Sequence, residues 1–260
     1  MKKFFTIVGV IIAFVTILLV AIFFLTSGIT DSADDFFKNV KAKNYSDAYS
    51  NLSVDFKKAT SEEDFIIFLK SSGLIGFKSS FWNSRSIENS RGKLYGTVKT
   101  ENSSIKTTIN FIKEDGDWKI FSIKTDNAGL QNRDFKTNNN IPPEKELVIL
   151  VDESLNKFAH SVNMKNFKGF HSYIAHLWSK QVTIEKLNTI FKVFMDNNIN
   201  LLPLLKSSSP TFTSKPTLKK GILMIKGYYP TKSTKIVFEL DYIHEGLSWK
   251  LIRINIKLTK

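Results

Sequence analysis

The sequence predicts an α+β protein with two tandem, related domains after one N-terminal membrane-spanning helix. Three observations predict it. An uncharged apolar run opens the chain, and a stripe of helical period occurs twice. Each stripe then gives way to strands of period two that end in the same Trp-Lys-aliphatic signature. A chain of 260 residues has room for two domains of ordinary size. Its 42% hydrophobic content and 22 phenylalanines are ample for cores, whereas a disordered chain is far poorer in apolar residues.

The apolar run, Phe4 to Leu25, reads FFTIVGVIIAFVTILLVAIFFL and has two threonines as its polar side chains. Its 22 residues make about 33 Å of helix, against a hydrocarbon core of about 30 Å. A cleaved signal peptide has a shorter apolar core, about 7 to 15 residues, and small residues before the cut. Phe23, Phe24 and Leu25 stand there instead. Residues 1–27 therefore read as an uncleaved signal anchor, with the membrane contacted through residues 4–25. Lys2 and Lys3 precede the run, and Asp31, Asp34 and Asp35 are the first charges after it. The positive-inside bias keeps the short N-terminus in the cytoplasm and sends the rest across. The expectation is a single-pass protein of the inner (cytoplasmic) membrane with periplasmic or extracellular domains.

The repetition is explicit in the numbering. Ala33, Phe36, Phe37 and Val40 mark an i, i+3, i+4, i+7 stripe, followed by Lys43-Asn44-Tyr45 and then Ala48, Leu52 and Phe56. An offset of 122 carries these onto Leu155, Phe158, Ala159 and Val162, Lys165-Asn166-Phe167, and Phe170, Ile174 and Trp178. Ser61, Glu63, Phe65, Phe68 and Leu69 map likewise onto Thr183, Glu185, Leu187, Ile190 and Phe191, with Ser61 and Thr183 standing as N-caps. The pattern describes three short amphipathic helices in each half.

Downstream the period changes to two. Ile105, Thr107, Ile109 and Phe111 alternate, as do Ile236, Phe238, Leu240 and Tyr242 at an offset of 131. Gly96 and Gly227 share that offset, as do Trp118-Lys119-Ile120 and Trp249-Lys250-Leu251 after their polar turns. Four antiparallel strands are expected per half, near 80–89, 91–101, 104–114 and 117–125, with counterparts at 209–216, 219–229, 233–243 and 247–258. The step from 122 to 131 places nine extra residues in the second copy, around Asn198 to Leu205. The domains run from 31 to 125 and from 144 to 260. The polar, Asn-rich linker between them, 126–143, ends in Pro142-Pro143, which opens a second long helix. That helix bears Val148, Val151, Leu155, Phe158 and Val162, a stripe that packs within the domain or against a partner helix.

Three helices followed by a curled four-stranded antiparallel sheet ending in turn-Trp-Lys-aliphatic resemble the nuclear transport factor 2-like superfamily. The likeness is to its bacterial membrane-anchored extracytoplasmic members. It is carried by Phe36 through Tyr49, Ser61 through Leu69 and Asp115 through Ile123, with their partners in the second half. The resemblance implies two cone-like domains in which each sheet wraps its helices around an apolar mouth. It does not imply a function, because the superfamily hosts isomerases, dehydratases, transport factors, secretion-machine subunits and plain binding modules.

Chemistry is sparse. No cysteine is present, which excludes disulfides, zinc-thiolate sites and thiol nucleophiles. His171 and His176 are five residues apart, the wrong spacing for a helical metal pair, and no acid lies between Glu153 and Glu185. His171 takes the repeat position of Tyr49 and reads as a partly buried, hydrogen-bonded ring. Cone-pocket catalysis needs an inward carboxylate base facing a hydroxyl or protonated acid. The available types are Tyr45, Tyr49, Tyr95, Asp64, Tyr242 and Asp241, none of which forms a pattern. No phosphate-cradling Gly-rich loop or nucleophile elbow is present. The expectation is no catalytic, cofactor or metal site.

Charge and the insertion supply two candidate surfaces. The net charge of +13 is uneven: residues 27–140 carry 17 basic and 15 acidic side chains, and residues 141–260 carry 18 and 9. Lys215, Lys219, Lys220, Lys226, Lys232 and Lys235 form a candidate basic surface, read either as solvated lysines or as a site for an anionic envelope component. Arg253 is the one arginine among those 18, and the location is extracytoplasmic, so no nucleic acid is expected. Leu201, Leu202, Leu204 and Leu205 in the insertion either plug their own domain's mouth as a lid or form an apolar contact surface. The sequence thus points to a non-enzymatic, membrane-anchored binding or scaffold protein that engages an envelope protein or anionic component. The alternatives are a subunit of an envelope-spanning secretion or assembly machine, and a small-molecule binder or isomerase-like enzyme using the cone pocket.

Overall fold

The computed structural model describes residues 27–126, 141–230 and 235–259. The apolar segment 4–25, most of the linker and Lys232 lie outside the described residues. No helix among those described is long and apolar enough to cross a membrane. The chain divides into two compact units, Met1–Gln131 and Asn132–Lys260. Both are mixed α+β, each with helices and its own antiparallel sheet.

In the first unit, helix α1 is already formed at residue 27 and runs to 41. Ile29 and Thr30, ahead of the expected domain start at 31, are buried in this unit. The predicted stripe lies inward, with Ala33, Phe36, Phe37 and Val40 inaccessible to solvent. α2 (Tyr45–Ser50), α3 (Val54–Ala59) and α4 (Glu62–Ser71) follow. Strands β1 (Phe77–Glu88), β2 (Arg91–Thr100), β3 (Ser104–Glu114) and β4 (Asp117–Thr125) then make a meander in sequence order. Turns at Asn89-Ser90 and Asp115-Gly116 put consecutive residues at positive φ, as tight hairpins require.

The second unit has α5 (Glu144–Asn163), α6 (Lys168–Tyr173), α7 (His176–Ser179), α8 (Ile184–Ile190), α9 (Lys192–Asp196) and α10 (Leu202–Lys206). Its strands are β5 (Thr211–Phe212), β6 (Thr217–Lys219), β7 (Ile222–Tyr229), β8 (Lys235–Glu245) and β9 (Ser248–Thr259). Pro143 caps α5, whose stripe packs inside the unit on Leu147, Val151, Leu155, Phe158 and Val162, while Val148 is only half-buried.

Two expectations need correction. The second helix of each half is two helices, because tertiary hydrogen bonds interrupt it. Ser53 N–H donates to the Ile120 carbonyl (2.9 Å) and Ile120 N–H to the Asn51 carbonyl (3.0 Å), while Ser53 Oγ caps α3. The second unit repeats this with Ala175 N–H on the Leu251 carbonyl (2.9 Å). Its third helix is also split, at Phe191. The second sheet does not open with one strand over 209–216. Two short strands, β5 and β6, pair one after the other along one edge of β7, separated by a stretch that ends in Pro216, which has no N–H to give a ladder.

The two units share devices well beyond their pattern of elements. α1 and α5 end on left-handed Lys43 and Lys165, with matching bonds to the Val40 and Val162 carbonyls (both 3.1 Å). Ser61 and Thr183 cap α4 and α8 through Asp64 N–H and Lys186 N–H. The last strand pair carries a bulge at one place, between Asn110 and Phe111 and between Asp241 and Tyr242. Glu114 accepts the Val54 N–H at the start of α3, and Glu245 accepts those of His176 and Leu177 at the start of α7. Every one of these pairs obeys the 122 or 131 offset.

Candidate functional site

The second unit holds a polar cluster inside its core, where α5 faces the sheet. α5 presents the Leu150 carbonyl, Asp152 and Ser154. β7 supplies Tyr229, β8 supplies Tyr242 and α6 supplies Tyr173. Tyr229, Tyr242 and Ser154 are fully buried. Tyr229 Oη–H donates to the Asp152 carboxylate. Ser154 Oγ lies 2.9 Å from Tyr173 Oη and 2.9 Å from Tyr242 Oη, and Tyr242 Oη–H donates to the Leu150 carbonyl (3.0 Å).

Counting protons orients the chain. Each hydroxyl has one proton. Tyr242 gives its own to Leu150, so Ser154 donates to Tyr242 and Tyr173 donates to Ser154. All of these hydroxyl protons are thus committed within the protein. Burial raises the Tyr229 phenol far above the usual value near 10, and the Asp152 hydrogen bond and negative charge add to the effect. Burial also raises Tyr242 and Tyr173, with the Ser154 hydrogen bond pulling the other way. The three phenols are neutral donors and not phenolate bases.

Two expected results follow. Tyr242→Phe should cost about 1–3 kcal/mol, because the ring fits but a buried Ser154 hydroxyl loses its acceptor. Phe111 already fills the corresponding place in the first unit. Thermal melting of the full-length chain measures this. In alkali, a phenol whose folded pKa is raised contributes stability that is whole below its unfolded value near 10 and is lost as the pH climbs towards the folded one. Melting temperature should therefore fall above about pH 10, and Tyr229→Phe should flatten that fall.

The residues singled out in the sequence do not converge here, apart from Tyr242. Asp241 sits on the opposite face of β8, 2.6 Å from Arg253 Nε, as the two-residue period of a strand requires. Tyr49 donates to the Thr60 carbonyl (2.8 Å), while Asp64 is exposed and accepts the Ser61 hydroxyl. Tyr45 and Tyr95 are half-buried in the first unit. His171 Nε2 lies 2.9 Å from the Val182 carbonyl and 3.2 Å from that of Ser179. These carbonyls are the equivalents of Thr60 and Lys57, which Tyr49 meets in the first unit. No group of three or more metal-binding side chains occurs among the described residues.

Of the inserted leucines, Leu201 and Leu205 are buried in the core of their own unit, and Leu202 and Leu204 pack half-buried against it. A cavity of about 170 Å³ opens beside this insertion, lined by Val162, Asn163, Lys165, Met195, Asn198, Ile199 and Asn200. The described lysines are exposed but are not gathered in one place. Lys219 and Lys220 stand at one end of β7 and Lys235 near the other, over the Tyr228 ring. Lys215 lies in the break between β5 and β6. Lys226 is paired with Glu239 (3.2 Å), which Arg253 also reaches (3.4 Å). The Lys226 pairing, followed by that of Arg253, lowers the Glu239 pKa. The middle of this face is therefore a closed set of ion pairs.

Asp152, Ser154, Tyr173 and Tyr229 were not legible as a group. The signal that could have found them is the comparison of the copies. Thr30, Asn51 and Val98 stand where Asp152, Tyr173 and Tyr229 stand; at the last of these a phenol replaces an aliphatic side chain at a buried position, which marks a change of interior.

No family model matches the chain, and no curated protein matches it. Among solved structures, the chain is similar to a cystatin-like protein from Ruminococcus gnavus ATCC 29149 at 9% identity. That alignment covers 94% of this chain and 96% of the other, with a TM-score of 0.29.

Proposed function

We propose that the protein is a non-enzymatic scaffold or binding protein of the cell envelope. It is held in the cytoplasmic membrane by residues 4–25, with both units outside the cytoplasm. We further propose that each unit is a nuclear transport factor 2-like domain, a reading supported by the succession of helices and antiparallel meander and by the devices the two units share. The observation that carries the non-enzymatic reading is the Tyr173–Ser154–Tyr242–Leu150 chain. The hydroxyls that a pocket would offer to a substrate already bond one another and the backbone.

The test uses the full-length chain in its native membrane. Alkaline carbonate should leave it in the membrane pellet, and protease added outside the cytoplasm should degrade both units. In situ crosslinking should then join it to an envelope protein. Asp152→Asn should leave that crosslink in place while lowering the melting temperature. A chain released by carbonate would defeat the anchor. A small molecule bound in stoichiometric amount and lost with Asp152→Asn would replace the scaffold reading with the pocket reading. A stable complex of several envelope subunits in detergent would favour the machine.

A further inference from the structure

We infer that one end of the first unit, centred on Trp118, rests on the lipid headgroups of the membrane in which residues 4–25 are anchored. The inference rests on the anchor proposed above and adds to it which surface faces the bilayer.

Chain length sets the distance. Leu25 ends the apolar run, and Gly28 follows three residues later in a helix already formed at residue 27. Three residues reach about 11 Å when extended and about 4.5 Å in a helix. The headgroup layer is roughly 5–8 Å deep on each side of the hydrocarbon. Whatever touches Gly28 therefore lies in or at that layer. Trp118 does: a Cβ placed on Gly28 would fall 2.8 Å from its Cδ1, and Ser32 Oγ donates to its carbonyl (2.8 Å). The offset of 122 sharpens the point. Glu144, Lys145 and Glu146, charged and exposed in the first turn of α5, correspond to Ile22, Phe23 and Phe24. Where the second unit opens its long helix to water, the first carries apolar side chains with no spacer between them and the unit.

The sheet presents a suitable surface at this end. Both hairpin turns, Asn89-Ser90 and Asp115-Gly116, are here, tied by Lys113 N–H to the Ser90 carbonyl (2.9 Å). Trp118 is half-buried, with Lys113 Nζ 5.8 Å over its ring, and Arg91 begins β2 at the same end, over the Phe121 ring. Val54, 51% exposed, joins them at the start of α3, where Glu114 holds its N–H. An indole with a basic side chain over it suits the membrane–water boundary, apolar below and wet above. Glu88, Glu114, Asp115 and Asp117 share this end, so the surface is not net cationic. The contact is set by the tether and the indole and does not need anionic lipid.

Because the chain has no cysteine, single labels are clean. Asp117→Cys places an environment-sensitive fluorophore beside Trp118. Asn102→Cys places one at the β2–β3 turn, about 30 Å away along strands of ten residues. Both full-length variants are reconstituted in phosphatidylcholine vesicles, with or without phosphatidylglycerol, and titrated with a lipid carrying a headgroup quencher. The label at 117 should shift to the blue and be quenched several-fold more than the label at 102, equally in both lipids. Equal exposure of the two labels, in chains that resist carbonate, overturns the contact and leaves the anchor standing. Quenching that needs phosphatidylglycerol overturns the tether-and-indole account. Release by carbonate removes anchor and contact together.

Discussion

Replacing Gly96 or Gly227 by alanine should destabilise the unit that contains it as much as a typical core truncation would. Both glycines face inward, Gly96 on β2 and Gly227 on β7, and at each a neighbouring strand, β1 or β5, crosses directly over the missing side chain. A Cβ on Gly96 would lie 2.0 Å from the Phe81 carbonyl oxygen and 2.8 Å from Trp82 Cα. On Gly227 it would lie 2.3 Å from the Thr211 carbonyl oxygen and 2.7 Å from the Phe238 ring. The obstruction is mainly backbone, so no rotamer change relieves it, and the edge strand must be pushed off. Overpacking of this kind costs about 3 kcal/mol, a fall in melting temperature of roughly 10 °C for a unit of this size. Gly169 supplies the opposite sign. It sits exposed in α6 with nothing within 4 Å of an added Cβ, so Gly169→Ala should stabilise by about 0.5–1 kcal/mol. Thermal melting of the three full-length variants decides the matter. A Gly227→Ala chain that melts with the parent would mean that β5 does not lie on β7 as described.

These glycines also show what the sequence could and could not convey. Their shared offset of 131 was readable, but the approach of another strand was not, because a gap in the pattern does not say what fills it. Helical stripes were readable because burial follows the period. Phe36, Phe37, Phe158 and Val162 are all buried. The helix break at Asn51–Ser53 was hidden because Leu52 and Phe56 keep the helical spacing across it. The interruption comes from hydrogen bonds to Ile120, a residue about 70 positions away in sequence. The split of the second sheet's first strand has a local cause in Pro216, which closes the stretch between β5 and β6. The hairpin turns, by contrast, fall where Asp115-Gly116 and Gly246 place them, since their left-handed backbone is a property of the residues themselves.

The interior cluster was the least legible part. Tyr242 reads as one more inward position on an alternating strand, and Tyr229 lies beyond the match that revealed the repeat. Asp152 and Ser154 sit among the polar residues expected on an amphipathic helix. Only the packing of α5 across β7 and β8 brings the four together, through contacts about 75 to 90 residues apart in sequence. The placement of the lysines depends on packing as well. Sequence counts charges, but Glu239 and Asp241 meet Lys226 and Arg253 across neighbouring strands, and that cancellation depends on register.

Glu245→Gln should be among the most damaging single changes outside the apolar core. α7 has only four residues, so most of its N–H groups have no partner within the helix. Glu245, 1% exposed, accepts two of them, His176 N–H at 2.8 Å and Leu177 N–H at 3.2 Å, with one oxygen each. An amide of the same shape keeps one acceptor and turns an NH₂ towards the other donor. A buried, charge-assisted bond is thereby exchanged for a donor facing a donor, at a cost of about 2–4 kcal/mol. Glu114 performs the same task in the first unit with both oxygens 3.2 Å from the Val54 N–H, near the surface. Water can replace it there, so Glu114→Gln should cost less than about 1 kcal/mol. Hydrogen exchange separates local from global effects: in Glu245→Gln the His176 and Leu177 amides should lose protection before the β8–β9 ladder does. If the two substitutions instead cost the same, burial is not what distinguishes the caps. The cap of α3, near the surface, would then matter as much as the buried cap of α7.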